Sequence, residues 1–462
     1  MAASDTVTRV LARWCADTPF DGIPGDVLAS TRLRILDTLG LGIAGAASPI
    51  GRALSAAVGE ARCPQGGATV LAGPAGVPAQ TAAFANGALA EALDFGDSHN
   101  ETVVHVSSPV VAAALAAAEA RGLPGPELLR IVALASELTC RVALGAPGAF
   151  HARGFHPTGI FGAFGAAAAA ALARRLDARR MADALGIAGG FAAGLLESWA
   201  DGTWAKAAQP GWGAMAGVLA ADLAHGGLTG PGTVIEGRAG VYASHVQGAA
   251  APDFARIAAD LGRTWENREI SFKPYPNAHI MHGVIDAAFD ALRSGGFGPG
   301  EVESVDCLVA GYMVDTICEP RQSKQRPATP AQARISAAHS VAELFCTGRM
   351  DLSNYTEASL ADPAIRALAA RIGYEVQPQW TGRKTYPGGV RVRLRDGRTI
   401  ERIAQANLGS RANPMTRAAI EAKFHACTAA LLPRERADAI VAAVFDEDGP
   451  DARGLMRLAA AV

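Results

Sequence analysis

Twelve residues, DFGDSHNETVVH from Asp94 to His105, hold three carboxylates and two histidines. Side chains of these types act as acids and bases near neutral pH, or as ligands to zinc and hard divalent ions. Asp94, Asp97, His99 and His105 are the candidate ligands. No pair among them has the i, i+4 spacing of a helical metal site, which counts against a metal and leaves an acid–base site or an ordinary solvated loop. His156 stands in GFHPTG, just ahead of an apolar helical run whose N-terminus would lower the pKa of a nearby imidazolium. Lys206 lies in SWADGTWAKAAQPGWGA among tryptophans and alanines, where an ammonium is costly unless an anion meets it. SFKPYPNAHIMH adds Lys273, Tyr275, His279 and His282 on a backbone fixed by prolines. This set suits a small polycarboxylate. Lysines hold carboxylates, one histidine takes a proton beside a carboxylate, and a second acid protonates a leaving hydroxyl.

The elements that must position these groups are mostly helices. Apolar residues recur three and four apart at 26–46, 79–93, 109–120, 125–144, 181–195 and 214–227, with small residues dominating. At the N-terminus a serine or threonine is placed to cap a first helix. After residue 266 the pattern changes. Strand-like alternation appears at 302–312 and again at 389–404, where Asp396-Gly397 reads as a hairpin turn. Helical stretches are expected at 279–293, 330–346 and 361–372, and a loop at 318–332. The spacing predicts a mainly α protein: helical residues 1–266, an α+β segment at 267–404, and helical residues 405–462 returning to the first bundle.

The glycines of GLGIAG (40–45) match a dinucleotide-binding pattern, but the preceding TRLRILDTL is helical where that motif needs a strand. Glycines inside a close-packed helix explain it better. Lysine plus arginine number 42 against 44 acidic residues, so no basic stripe for nucleic acid stands out. The alanine-rich run at 162–175 is too short to cross a bilayer. No secretory h-region is evident, and seven scattered cysteines lack a C-x-x-C pair. A cytoplasmic protein is the expectation.

Five blocks in this order resemble the MmgE/PrpD family: ALDFGDSHNETVVHVSSPVVAAALAAAE, GFHPTGIFGAFGAAAAAALA, WAKAAQPGWGAMAGVLAADLAHGGLTGP, KPYPNAHIMHGVIDAA and GSRANPMTRAAIEAKF. The resemblance spans nearly the whole chain. That family includes 2-methylcitrate dehydratase, cis-aconitate decarboxylase and iminodisuccinate epimerase. It implies a large all-helical domain built from both chain ends, an inserted α+β lid, a homodimer, and no metal or organic cofactor. It also implies roles: His105 and His156 in proton transfer, Lys206 and Lys273 on carboxylates, and Asp94 orienting a histidine or the substrate. Ser98, Thr102, Tyr275, Gln209, His279 and His282 are candidates for substrate contacts.

The blocks also depart from the family pattern. Gln209 in KAAQPGW replaces a common histidine, KPYPNAHIMH lacks an arginine and gains His279, and no tyrosine follows Tyr312 in TICEPRQSKQRP. These changes point to a smaller acid, or one with fewer carboxylates, rather than a tricarboxylate. The expected activity is dehydration of a 2-hydroxy acid. Epimerisation of a dicarboxylate is the runner-up and decarboxylation the third reading. A non-catalytic helical scaffold is the remaining alternative, and four costly polar residues kept together count against it.

Overall fold

A computed structural model describes residues 5–58, 61, 63, 67–447 and 451–461. Residues 1–4, one possible home of the first helix cap, lie outside these. Thr6 caps that helix, its hydroxyl accepting from the Arg9 amide at 3.3 Å. The chain forms two compact units. The larger joins residues 1–197, 204–270 and 416–462, and the smaller holds 198–203 and 271–415.

The larger unit is helical. The elements that matter for the site are α1 (Gly25–Ala46), α2 (Ala79–Glu91), α3 (Ser107–Arg121), α4 (Gly125–Ala143), α5 (Pro157–Ala173) and α6 (Ala205–His225). All seventeen residues of α5 are buried, as expected of a helix apolar on every face. Among the described residues no single helix is long and apolar enough to cross a membrane.

Small residues let these helices touch through their backbones. A Cβ on Gly211 of α6 would collide with the Phe84 carbonyl of α2, and one on Gly87 would lie 3.0 Å from the Gly211 Cα. Along α6, a Cβ on Gly217 would collide with Ala166 and Ala167 of α5. The GLGIAG glycines serve the same end. Cβ atoms on Gly40, Gly42 and Gly45 would strike Phe424, Leu71 and the Leu89 carbonyl, and the whole stretch lies within α1.

Helix Arg417–Thr428, the first of three that follow the smaller unit, seats Phe424 against Gly40 of α1. Lys423 pairs with buried Asp37 at 2.8 Å and also donates to the Phe95 carbonyl at 2.8 Å.

The smaller unit contains α7 (His282–Gly295) and a sheet of β1 (Val302–Val309), β2 (Ile372–Val376), β3 (Gly388–Leu394) and β4 (Thr399–Ala404). Strand order is β2-β1-β3-β4. β1 runs parallel to β2 (Cys307 opposite Tyr374) and antiparallel to β3 (Cys307 opposite Val390). The β3–β4 hairpin turns at Asp396-Gly397, where Gly397 takes a φ of 89°. Val284, Ile285 and Ala288 of α7 share a core with Val305, Val390 and Val392 of the sheet.

Two expectations differ from what is found here. Helix ends at Ala369 and Ile372 opens β2, because pairing with β1 outweighs the helical spacing of 361–372. The 318–332 segment is not all loop, since it includes short helices Arg321–Gln325 and Pro330–Ala333.

Candidate active site

In the larger unit, the segment that follows α2 carries most of the sequence candidates. Glu91 is the last residue of α2 and Asp94 follows in the left-handed region with φ 51°, a conformation that aspartate tolerates. A tight turn, with the His99 amide donating to the Val104 carbonyl at 2.8 Å, then delivers His105. Val103 in that turn has φ 58°. A β-branched residue is strained there by about 1–3 kcal/mol, and such strain gathers at functional sites.

His105 is held from three sides. Its amide donates to Thr158 Oγ1 at 3.0 Å, in the first turn of α5. Its Nδ1 lies 3.0 Å from the Asp97 carbonyl oxygen and 2.9 Å from Ser98 Oγ. A carbonyl only accepts, so Nδ1 carries the hydrogen and Nε2 is left to face carboxylates. Nε2 is 3.6 Å from Glu91 Oε1 and 4.0 Å from Asp94 Oδ1. The Asp97 carboxylate is taken up by the amide and hydroxyl of Ser107.

His156 occupies the position just before α5, with Pro157 opening the helix. Its amide donates to the Gly194 carbonyl at 3.1 Å, and the Leu196 amide returns a bond to the Gly154 carbonyl at 2.9 Å. That bridge turns the Leu195 carbonyl toward Gln209, whose Nε2 donates to it at 2.7 Å. The Gln209 oxygen is thereby aimed at His156 Nδ1, 2.9 Å away. Nδ1 must donate, and Nε2 keeps its lone pair. His156 is only 2% exposed, and its Nε2 is buried with no hydrogen-bond partner. Burial first, then the nearby Lys206 charge, push the imidazolium down to about 3, so the ring is neutral at pH 7.

Lys206, in the first turn of α6, donates to Glu91 Oε1 at 2.8 Å and to Asp94 Oδ1 at 3.2 Å. Burial alone would lower its pKa, but the charges of Asp94 and Glu91 outweigh that and raise it. The close Gly87–Gly211 crossing of α2 and α6 brings these partners within reach. The rings of His105 and His156 stand edge to face, with centroids 6.2 Å apart.

A Glu91 oxygen and a ring nitrogen from each histidine lie within 4.8 Å of one another, a donor set that suits zinc. Lys206 already neutralises that carboxylate. A divalent ion would have to displace an ammonium at 2.8 Å, so the residues fit proton transfer better than metal binding.

The structure therefore brings together Asp94, Ser98, His105, His156, Lys206 and Gln209. Thr102 stands apart, its hydroxyl 2.8 Å from His99 Nδ1, while His99 Nε2 faces Glu266 at 3.2 Å. Both are fully occupied by structural bonds.

The remaining candidates belong to the smaller unit. Lys273 is fully buried there. Tyr275 donates to Asp286 Oδ1 at 2.8 Å, and the Leu408 amide donates to Oδ2 at 2.7 Å. Burial pushes the Asp286 carboxyl up to about 6. The rings of His279 and His282 lie 4.6 Å apart, and Asn407 Nδ2 is 3.2 Å from His279 Nε2.

Sequence reasoning missed Glu91, Thr158, Asp286 and Asn407. Glu91 had a signal: it is the one charged residue on an alanine-rich helix. Asp286 lies one turn beyond His282 on α7. Thr158 and Asn407 had none, since each acts only through a tertiary partner.

Residues 9–252 match the model of the MmgE/PrpD N-terminal domain, and residues 275–447 that of the MmgE/PrpD C-terminal domain. The chain belongs to the MmgE/PrpD family, a family of enzymes. Among curated relatives it is similar to the cis-aconitate decarboxylase-like protein oryM of Aspergillus oryzae, at 24% identity over 98% of this chain and 97% of that protein. It is 25% identical to the cis-aconitate decarboxylase of Aspergillus terreus, over 94% of this chain and 91% of that enzyme. The human cis-aconitate decarboxylase is likewise 25% identical, over 90% of this chain and 86% of its own length.

Proposed function

We propose that this protein is a cofactor-independent lyase that acts on a small di- or tricarboxylic acid, with His156 taking a proton from the substrate and His105 giving one to it. The observation that carries the reading is His156: a buried, neutral imidazole with its tautomer fixed and its Nε2 unpartnered. Such a nitrogen is a base waiting for a proton. In the free protein its basicity is low. An anionic substrate beside it supplies opposite charge and raises the pKa toward the range that suits general base catalysis.

The first reaction is dehydration of a 2-hydroxy acid. His156 Nε2 takes the proton next to a carboxylate as the C–H bond breaks. The electron pair forms the C=C bond, and the C–O bond breaks as His105 protonates the departing hydroxyl to water. Lys206 holds Glu91 and Asp94, which face His105 and favour its protonated form. Decarboxylation is the second reading, favoured by the names of the relatives: a carboxylate leaves as carbon dioxide and a histidine protonates the carbon left behind.

The test is proton NMR of the chelator-treated protein in D2O with hydroxy-, amino- and unsaturated di- and tricarboxylates. A vinyl signal from a saturated hydroxy acid supports dehydration, and loss of a carboxyl carbon supports decarboxylation. Exchange of an α-proton without a new product moves the assignment to epimerisation. No change across the panel refutes the lyase reading.

A further inference from the structure

The side chain that sets the charge of this wall is Glu91, which no sequence signature of the site includes. It is 2% exposed, at the end of an alanine-rich helix, and accepts from Ser108 Oγ at 3.2 Å as well as from Lys206. A buried carboxylate is costly unless paired, and here the pairing group is the one lysine of this wall. Lys206 thus serves two carboxylates, Glu91 at 2.8 Å and Asp94 at 3.2 Å.

An incoming carboxylate would meet two negative groups with their only lysine already committed. His105 in its protonated form would make the wall neutral overall, yet still offer no uncommitted cation. A hydroxyl or ammonium would instead find carboxylate acceptors and the unpartnered His156 Nε2 within a few ångström of each other. Bound donors keep these groups satisfied, whereas a bound carboxylate leaves like charges facing.

We infer that Glu91 makes this wall selective for a substrate that presents a hydroxyl or ammonium to it, and that it excludes acids placing an extra carboxylate there. The inference rests on the acid–base reading above, since both take this wall to face the substrate. It deepens that reading by naming a hydroxy- or amino-dicarboxylate as the substrate class.

The test uses one four-carbon skeleton with one varied substituent. Binding of 2-hydroxysuccinate, 2-aminosuccinate, unsubstituted succinate and 2-carboxymethylsuccinate to the full chain is measured by titration calorimetry. The same samples are followed for α-proton exchange in D2O. The wild type binds the hydroxy or amino acid at least about tenfold more tightly than the carboxymethyl acid. Glu91→Gln keeps the shape, removes one charge and leaves Lys206 with Asp94 as its one carboxylate, so the preference shrinks or reverses. Asp94→Asn, at a partly exposed loop residue, gives the same change of ranking should Glu91→Gln fail to fold by circular dichroism.

Equal or tighter binding of the carboxymethyl acid by the wild type overturns the inference. So does a ranking unchanged in both variants, or no binding of any member. Selective binding without proton exchange or loss of carbon dioxide leaves the charge selectivity standing and counts against the acid–base reading for these acids, so the two can fail separately.

Discussion

At the scale of single residues, the Gln209–His156 pair determines the character of the site. His156→Ala lowers kcat/KM by about 10²–10⁴-fold while thermal unfolding stays cooperative; unchanged turnover of a confirmed substrate would remove His156 from the mechanism. Gln209→Glu puts a carboxylate on Nδ1–H, and the acid limb of kcat/KM rises by about 1–3 pH units. Lys206, Glu91 and His105 face the same ring, and an anionic substrate adds to them. The acid limb of kcat therefore lies at higher pH than that of kcat/KM. The same shift enters stability. The ordinary value is 6.5 and the folded value about 3. Between them the unfolded chain binds a proton that the folded chain does not, so stability is intact above pH 6.5 and falls as pH drops toward 3. Urea unfolding at pH 7 and pH 5 reads this as about 2 kcal/mol lost by the wild type and not by His156→Gln. Asp94, His105, His156 and Lys206 were legible in the sequence because titratable groups stand out among alanines. The direction of each imidazole was not, because the Asp97 and Leu195 carbonyls that set it are backbone atoms of any residue type.

Among elements, the crossing of α2 and α6 decides whether Lys206 can reach Glu91 and Asp94. Gly211→Val and Gly217→Val both overpack α6 and each destabilises by about 1–3 kcal/mol or more, measured by chemical denaturation. Only Gly211, at the crossing with α2, displaces Lys206 from its partners. At a temperature where both variants are folded, Gly211→Val loses turnover and Gly217→Val retains it. Equal activity in the two would show that the crossing does not set the site. Helix existence was legible from apolar spacing, as with α1 and α4, whose bounds fall within a residue of the pattern. The start of α6 was not. Pro210 near its head argues against helix locally, and packing of Gly211 on Phe84 decides it. β2 was hidden for a related reason: Ile372, the last residue of a helical pattern, and the four residues after it become strand only because β1 lies alongside.

For the molecule as a whole, the larger unit draws on both ends of the chain, and the Asp37–Lys423 pair joins them. Burial raises the Asp37 carboxyl, with Lys423 opposing. Lys423→Met leaves that carboxylate unpaired and lowers stability by about 3–5 kcal/mol, and adding Asp37→Asn recovers much of the loss. A double variant no more stable than the single one would show that Lys423 acts through Phe95 alone. The contact with Phe95 has its own consequence. The Lys423 ammonium grips the carbonyl next to Asp94 from 328 positions further along the chain. At about 5–20 residues per second, a ribosome finishes the Asp94–His105 loop well before it makes the lysine that secures it. A nascent chain that has already made Lys206, the last acid or base of the larger unit's cluster, must still add more than two hundred residues before the clamp on the Asp94–His105 loop exists. Order of manufacture delays the completed site until the last helices emerge.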